Sequence, residues 1–339
     1  MIQEEYDILI IGGGLSALFL AQTLTKSTIN YKIVEKSIGV GGRAATRRIG
    51  TQKIDHGAQY FTCGSDEFRD WTRANAEWLN ITEWQGPFKT WNGKVLEEIS
   101  DNVKRYCSPE GMTQISKKLA AVLPLSKEER IISTGRLEDG RWALASSQEK
   151  LYVAKKVIST APQPQSLELF SPHLTADELL ELGDVRFEPC LSLILLYPFE
   201  QSPDWSGIFW NHGKIISWVA HDSSKRKDPQ YCCLVVQCQP DFSEKYFESD
   251  PQKILKKVLF ELHVAFGDQF QKPIEYHCKT WKYSRCSNPL GKNYFVNYDE
   301  SLFMTGDWCL GNKVESAFTS ANALSEYAVF KGKTPKLKI

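Results

Sequence analysis

The chain has 339 residues, 42% of them apolar and 24% charged, with 41 Lys+Arg balanced by 41 Asp+Glu. That length suits about two domains or one large α/β unit with a sizeable core, which excludes a disordered or collagen-like chain. Zero formal charge removes any global attraction to nucleic acid or to an anionic membrane, so neither is an expected partner.

The opening Met1-Ile2-Gln3-Glu4-Glu5 is acidic where a secretory signal is basic. No run approaches the roughly 18 apolar residues of a membrane span. Nine cysteines without a CxxC pair read as free thiols in a reducing cytoplasm, and no Cys/His cluster has the spacing of a metal site. Cys232 and Cys233 are neighbours in a strand-like run, so their side chains are expected on opposite faces.

Tyr6 to Ile11 is a continuous apolar run that stops at Gly12-Gly13-Gly14, the pattern of a strand buried in a parallel sheet. Leu18, Ala21 and Leu24 then recur at helical spacing, and Tyr31 to Val34 forms a second strand ending in Glu35. In this strand–turn–helix–strand unit Gly12 permits the tight turn and Gly14 the approach to a pyrophosphate. Ala17 lets the helix pack closely on the strands. Leu15 and Ser16 open a helix whose N-terminal amides and dipole favour phosphate. Glu35 lies where an acid accepts bonds from ribose hydroxyls. The unit predicts dinucleotide binding.

Glu35-Lys36-Ser37-Ile38-Gly39-Val40-Gly41-Gly42-Arg43 adds a second glycine cluster and an arginine suited to a phosphate. Thr46-Arg47-Arg48 and Asp55-His56-Gly57-Ala58-Gln59-Tyr60-Phe61 follow. Asp66 to Asn80 predicts a helix with Phe68, Trp71, Trp78 and Leu79 on one face, and Trp91-Asn92-Gly93-Lys94 a hairpin turn. Glu110 to Leu123 predicts a helix through Ile115, Leu119 and Val122. Ile131-Ile132, Trp142 to Ala145 and Val157-Ile158 predict strands, and Thr175 with Glu178 caps a short helix.

Strands are expected at Cys190–Tyr197, Gly207–Trp210, Ile215–Ala220, Tyr231–Gln239 and Ile274–Tyr283. One helix interrupts them, with Asp250 as N-cap, Pro251 at N1, a stripe of Ile254, Leu255, Val258, Leu259 and Leu262, and Gly267 as terminator. Leu302 to Met304 leads to Gly306-Asp307. Val314-Glu315-Ser316-Ala317 then opens a helix with Phe318, Ala321, Leu324 and Ala328 on its apolar face. The lysine-rich segment 331–339 reads as a solvated basic tail.

These tracts together resemble the FAD-dependent amine oxidases, protoporphyrinogen oxidases and carotene desaturases. Within that family the resemblance is to the renalase-like members. It rests on Gly-Gly-Arg-x-x-Thr at 41–46, Asp-x-Gly-Ala-Gln-Tyr-Phe at 55–61, Pro109-Glu110-Gly111-Met112 and Thr280-Trp281-Lys282-Tyr283. Ser316 stands where the family often has glycine, and the Ser-Gly-Gly-Cys motif of covalently flavinylated monoamine oxidases is absent, so Cys309 is not expected to carry flavin.

The resemblance implies an α/β fold. A discontinuous Rossmann-like FAD-binding domain (1–65, 105–170, 291–330) joins a mixed-sheet α+β substrate domain (66–104, 171–290). It implies non-covalent FAD held by Gly12, Gly14, Leu15, Ser16, Glu35, Lys36, Gly41, Gly42, Arg43, Gly57, Ala58, Gln59, Tyr60, Ile131, Thr160, Gly306, Asp307, Val314, Glu315 and Ala317. His56, Gln59, Tyr60, Trp281 and Tyr283 are the candidates for lining the flavin and substrate cavity, with Trp210 and Trp218 as weaker ones.

No second strand–glycine–helix unit follows downstream, so the electron donor is expected to dock directly on the flavin. By the resemblance, the expected activity is oxidation of a dihydronicotinamide isomer of NAD(P), with a hydride passing to flavin N5 and electrons to O2, giving hydrogen peroxide. Oxidation of an amine or desaturation of another small molecule stays open, as does a flavin sensor without turnover. No protein partner is inferable.

Overall fold

The apolar run at Ile8–Ile11 ends a longer strand, Ile2–Ile11, flanked on both sides by parallel neighbours. The structure is a computed structural model and describes residues 2–331. The expected basic tail beyond Lys331 lies outside the described residues, as does the side chain of Ala328. The polypeptide divides into two compact units: the first joins residues up to Gly42 with Ser116–Arg186 and the chain from Cys286 onward, and the second joins Arg43–Ile115 with Phe187–Arg285.

In the first unit, Ile2–Ile11 pairs in parallel with Tyr31–Val34 on one side and Lys150–Ser159 on the other. Leu125–Ser126 extends the sheet beyond Tyr31–Val34. The far edge of Lys150–Ser159 is shared. Its first half pairs antiparallel with Trp142–Ser146, and Val157 to Ser159 pair in parallel with Leu302–Met304. Burial on both faces explains why Ile8, Leu9 and Ile10 are all apolar rather than alternating.

The helix Leu15–Leu24 buries more than the expected stripe, because Phe19 and Leu20 are also enclosed. A helix apolar all round belongs in an interior. It packs on the helix Val314–Lys331, with Phe19 and Phe318 edge to face at 5.3 Å. The capping box of Thr175 and Glu178 opens the helix Ala176–Gly183.

The second unit is built on a seven-stranded sheet. Its order is Glu275–Asn288, Arg186–Pro198, Tyr231–Cys238, Ile216–His221, Gly207–Trp210, Phe88–Trp91 and Leu96–Glu98. Leu191, Leu193, Leu195 and Tyr197 share one face with Cys232, Leu234 and Val236. The helix Pro251–Phe266 joins that core with Ile254, Leu255, Val258 and Leu262. Asp250 caps it through a 2.6 Å bond from the Gln252 amide, and Gly267 ends it at φ 57°. Cys232 and Cys233 are both buried, as a central strand of a sheet covered on both faces requires.

Three local expectations need correction. The helix Asp66–Leu79 buries Phe68, Thr72 and Leu79, but Trp78 is exposed. At about 100° per residue, position 78 lies roughly 80° round the helix from Phe68. The next helix is shorter than expected, Met112–Ala120, so Val122 falls beyond its end and is exposed. The hairpin at Asn92-Gly93 forms, but Gly93 alone has positive φ, and the Asn92 side chain accepts from the amides of Lys94 and Val95. It is therefore a longer Asx-type turn.

The compact units also depart from the expected domain bounds. Residues 43–65 and 105–115 pack with the second unit. Thr46 exchanges bonds with Thr113, and Asp55 accepts from the Met112 amide at 2.8 Å, which ties these two stretches together.

Candidate functional site

The first unit gathers its candidates at the carboxyl ends of three neighbouring parallel strands, where ligands of open α/β sheets bind. After Ile11 comes Gly12, at φ 104°, with Thr160 donating its amide to the Ile11 carbonyl at 2.8 Å. A Cβ at Gly12 would stand 2.6 Å from Thr160 Oγ1, so glycine is required by both space and conformation. On the next strand the Thr305 amide bonds Ser159 O at 3.0 Å, and Trp308 Nε1 donates to Ala161 O at 3.1 Å. Gly306 and Asp307 thus sit beside the Ser159–Ala161 turn. A side chain at Gly306 would collide with the Trp308 indole.

The two glycine clusters meet. Gly41 donates to Gly13 O at 2.8 Å, Gly14 and Gly41 bridge in parallel, and Gly42 lies against the Gly14 Cα. Gly14 is the N-cap of Leu15–Leu24 and contributes no side-chain cap, leaving the first-turn amides for an anion. Glu35 accepts from the Gly13 amide at 2.5 Å and the Ser37 amide at 2.6 Å, one on each carboxylate oxygen. Each oxygen keeps a second lone pair for a hydroxyl donor.

Gly13 is a position the sequence reading passed over. A Cβ there would press on Glu35 at 3.1 Å. The chain at Glu128–Glu129 bonds back to Ser37 and Glu35, which brings Ile131 into the same corner, while Lys36 reaches Gln165 at 3.0 Å. Val314, Glu315 and Ala317 form the first turn of the closing helix, beside Gly311, whose amide bonds Asp307 O at 2.7 Å. This corner fits a dinucleotide: a bare helix start, glycines without side-chain bulk and an acid with spare lone pairs. Cys309 is fully buried, and burial pushes its thiol up to about 12, which suits packing rather than nucleophilic attachment.

The second unit gathers the others. Arg43 donates to Ser284 O at 3.2 Å, and its carbonyl accepts from the Ala58 amide at 2.9 Å. A Cβ at Gly57 would overlap that carbonyl, so only glycine fits. Trp281 stacks on His56, with ring centres 5.3 Å apart and planes 22° from parallel, and its indole donates to His56 O at 3.0 Å. Burial, then the Lys279 ammonium, hold the His56 imidazole down to about 4, so it is neutral at physiological pH. Tyr283 packs edge-on against Phe187. Tyr60 lies among Trp84 and Trp218, with the Arg105 guanidinium 5.8 Å from its ring.

Two candidates are placed differently from expectation. Gln59 turns its amide inward, donating to Asp55 O and Gly57 O and accepting from Lys225, so its side chain does not present polar groups to a substrate. Trp210 is 2% exposed and packs with Trp91 and Phe266 in the core.

Behind the Gly57–Tyr60 turn lies a buried charge cluster that sequence reasoning missed. Lys225 contacts Asp55 at 2.8 Å and Asp222 at 2.6 Å, and Arg226 contacts both at 2.8 Å. Burial alone would raise the Asp55 carboxyl, but the Lys225 and Arg226 cations outweigh it and hold the group well below the ordinary carboxylate range. Asp55 opens the motif at 55–61 and was visible there. Its cationic partners sit in Lys225-Arg226-Lys227, which reads as a solvated run.

Residues 10–76 match the model of an NAD(P)-binding Rossmann-like domain, and residues 82–326 match that of flavin containing amine oxidoreductases. Solved structures share the fold, three of them as follows. A protein named as a protoporphyrinogen oxidase from Exiguobacterium sp. 255-15 is 14% identical with a TM-score of 0.78, covering 97% of this chain and 99% of its own. A triple mutant of putrescine oxidase redesigned in cofactor binding is 12% identical with a TM-score of 0.76, covering 97% and 100%. Cyclohexylamine oxidase from Brevibacterium oxydans IH-35A is 13% identical with a TM-score of 0.73, covering 96% and 100%.

Proposed function

The chain belongs to the flavin containing amine oxidoreductase family, and on that premise we propose that it oxidises dihydronicotinamide dinucleotides in the renalase-like manner. Its cofactor is FAD, and it is an FAD-dependent oxidoreductase. When bound, FAD would supply an acceptor for the substrate's hydride and a two-electron donor to dioxygen, which with two protons gives hydrogen peroxide. In this reading the first unit holds FAD, with phosphates at the Leu15–Leu24 start and ribose hydroxyls at Glu35. In the second unit, His56, Tyr60, Trp281 and Tyr283 serve the flavin and substrate.

The observation that supports this substrate class is the charge around His56. Lys279 and Arg47 act on the imidazole as cations and Asp55 and Asp222 as anions, and burial together with Lys279 keeps it neutral. None of the candidate side chains His56, Gln59, Tyr60, Trp281 and Tyr283 is an anion, and Asp55 and Asp222 are spent on Lys225 and Arg226. An alkylammonium substrate would find no unpaired carboxylate among these side chains. A dinucleotide brings a pyrophosphate that those cations attract, and a planar ring that suits the Trp281–His56 stack. Nine free cysteines support a reducing, cytoplasmic setting.

The test is anaerobic mixing of the FAD-loaded protein with the 2- and 6-dihydro isomers of NAD(P), followed by admission of air. Rapid flavin bleaching, then reoxidation with one peroxide per turnover, is expected. A flavin that stays oxidised with these isomers but bleaches with an amine would transfer the assignment to amine oxidation.

A further inference from the structure

We propose that Lys225 is a positioning residue for the Gly57–Tyr60 turn. The proposal rests on the reading above that this turn meets FAD. The Lys225 side chain is fully buried, and its ammonium has four acceptors within reach: Asp55 Oδ2 at 2.8 Å, Asp222 Oδ1 at 2.6 Å, Gln59 O at 3.1 Å and Gln59 Oε1 at 3.2 Å. The two carboxylates neutralise it. The other two acceptors belong to one residue, so the same cation grips the backbone and the side chain of Gln59.

The grip extends along the turn. Gln59 Nε2 donates to Asp55 O and Gly57 O, and Gly57 O also accepts from Gln237 Nε2 at 2.8 Å. The Ala58 amide is fixed on Arg43 O. Carbonyls 57 and 59 are thus both held from the core of the second unit. Arg226 balances the second carboxylate but makes no bond to Gln59, since its guanidinium goes to Asp55, Asp222 and the carbonyls of Ser108 and Pro109. Charge neutrality and turn geometry are therefore divided between adjacent residues. A cation with rotatable donors on a slim stem suits the second task.

The test compares the FAD-loaded protein with two variants. The pair Lys225→Met with Asp222→Asn removes one charge of each sign and leaves Asp55 with Arg226. Gln59→Leu keeps all four charges and removes the side-chain bonds that Gln59 makes. Amide hydrogen exchange over 57–60 is expected to speed up by about tenfold in either variant, as losing one or two hydrogen bonds predicts, with the strand Tyr231–Cys238 unchanged. The flavin midpoint potential is expected to shift.

Unchanged exchange over 57–60 in a folded variant would overturn the positioning role. Faster exchange with an unmoved potential would keep the grip and overturn the assignment of this turn to FAD. If the paired variant does not fold, Gln59→Leu decides alone: wild-type exchange and potential would overturn the proposal. Neither readout requires the substrate, so failure of the dihydronicotinamide assignment leaves the result standing.

Discussion

His56 sits with a neutral imidazole because its ring is buried and Lys279 lies near, and its pKa falls from 6.5 to about 4. Between those values the unfolded chain binds a proton that the folded chain does not, so stability is full above pH 6.5 and falls as pH drops toward 4. Asp55 acts in a lower window. Its folded pKa is held below 3.8, so its contribution is present above that pH and is lost as pH falls further. Melting temperature measured from pH 8 to 3 should show the first decline in wild type and a flatter profile between 6.5 and 4 in His56→Gln. At Glu35 the expected effect is on binding. Glu35→Gln removes a charge that two backbone amides share and that, on the proposed reading, a ribose hydroxyl would share, and a charge-assisted bond is worth about 1.5–3 kcal/mol. FAD affinity should fall about 10- to 100-fold in a fluorescence titration of apoprotein, with circular dichroism unchanged.

Among the elements, the helix Pro251–Phe266 and the segment Asp222–Arg226 offer opposite tests. Asp250→Ala removes one cap bond and should cost about 1 kcal/mol, read by urea unfolding, with flavin reduction unaffected. Lys225→Met alone leaves a buried carboxylate short of a partner and should cost about 3–5 kcal/mol. The first element was readable in the sequence, cap, stripe and terminator alike, because each signal is local. The opening strand, glycine turn and Glu35 were readable for the same reason. Trp78 and Val122 were misread because an apolar residue near a stripe looks like part of it, and only the helix's rotation and true end decide. Of the ion cluster, only Asp55 was readable, as part of the motif at 55–61. Lys225 and Arg226 are about as far from Asp55 in sequence as half the chain, and a run of charges signals solvent unless the fold supplies partners. Gln59 followed from the same blindness: its amide turns inward because Lys225 is there.

For the whole molecule, the chain passes between the two units at Gly42, Ile115, Arg186 and Arg285, so neither unit is a contiguous segment that one cut could release. FAD bound to the native state alone adds stability by mass action, about 2.7 kcal/mol at a hundredfold excess over its Kd. Stripping the flavin should therefore lower the melting temperature, and adding it back should restore the value in proportion to the logarithm of its concentration. Differential scanning fluorimetry with an FAD titration reads this directly, and a melting temperature indifferent to FAD would remove the cofactor from the stability of the fold.

The strand Leu302–Met304 and the Gly306-Asp307 turn complete a corner begun at Gly12. On a ribosome adding about 5–20 residues per second, the glycine turn waits from about fifteen seconds to a minute before those later residues exist. A nascent chain therefore carries an unfinished nucleotide corner through most of its synthesis. If this corner holds flavin, the complete site is available only to a near-complete polypeptide.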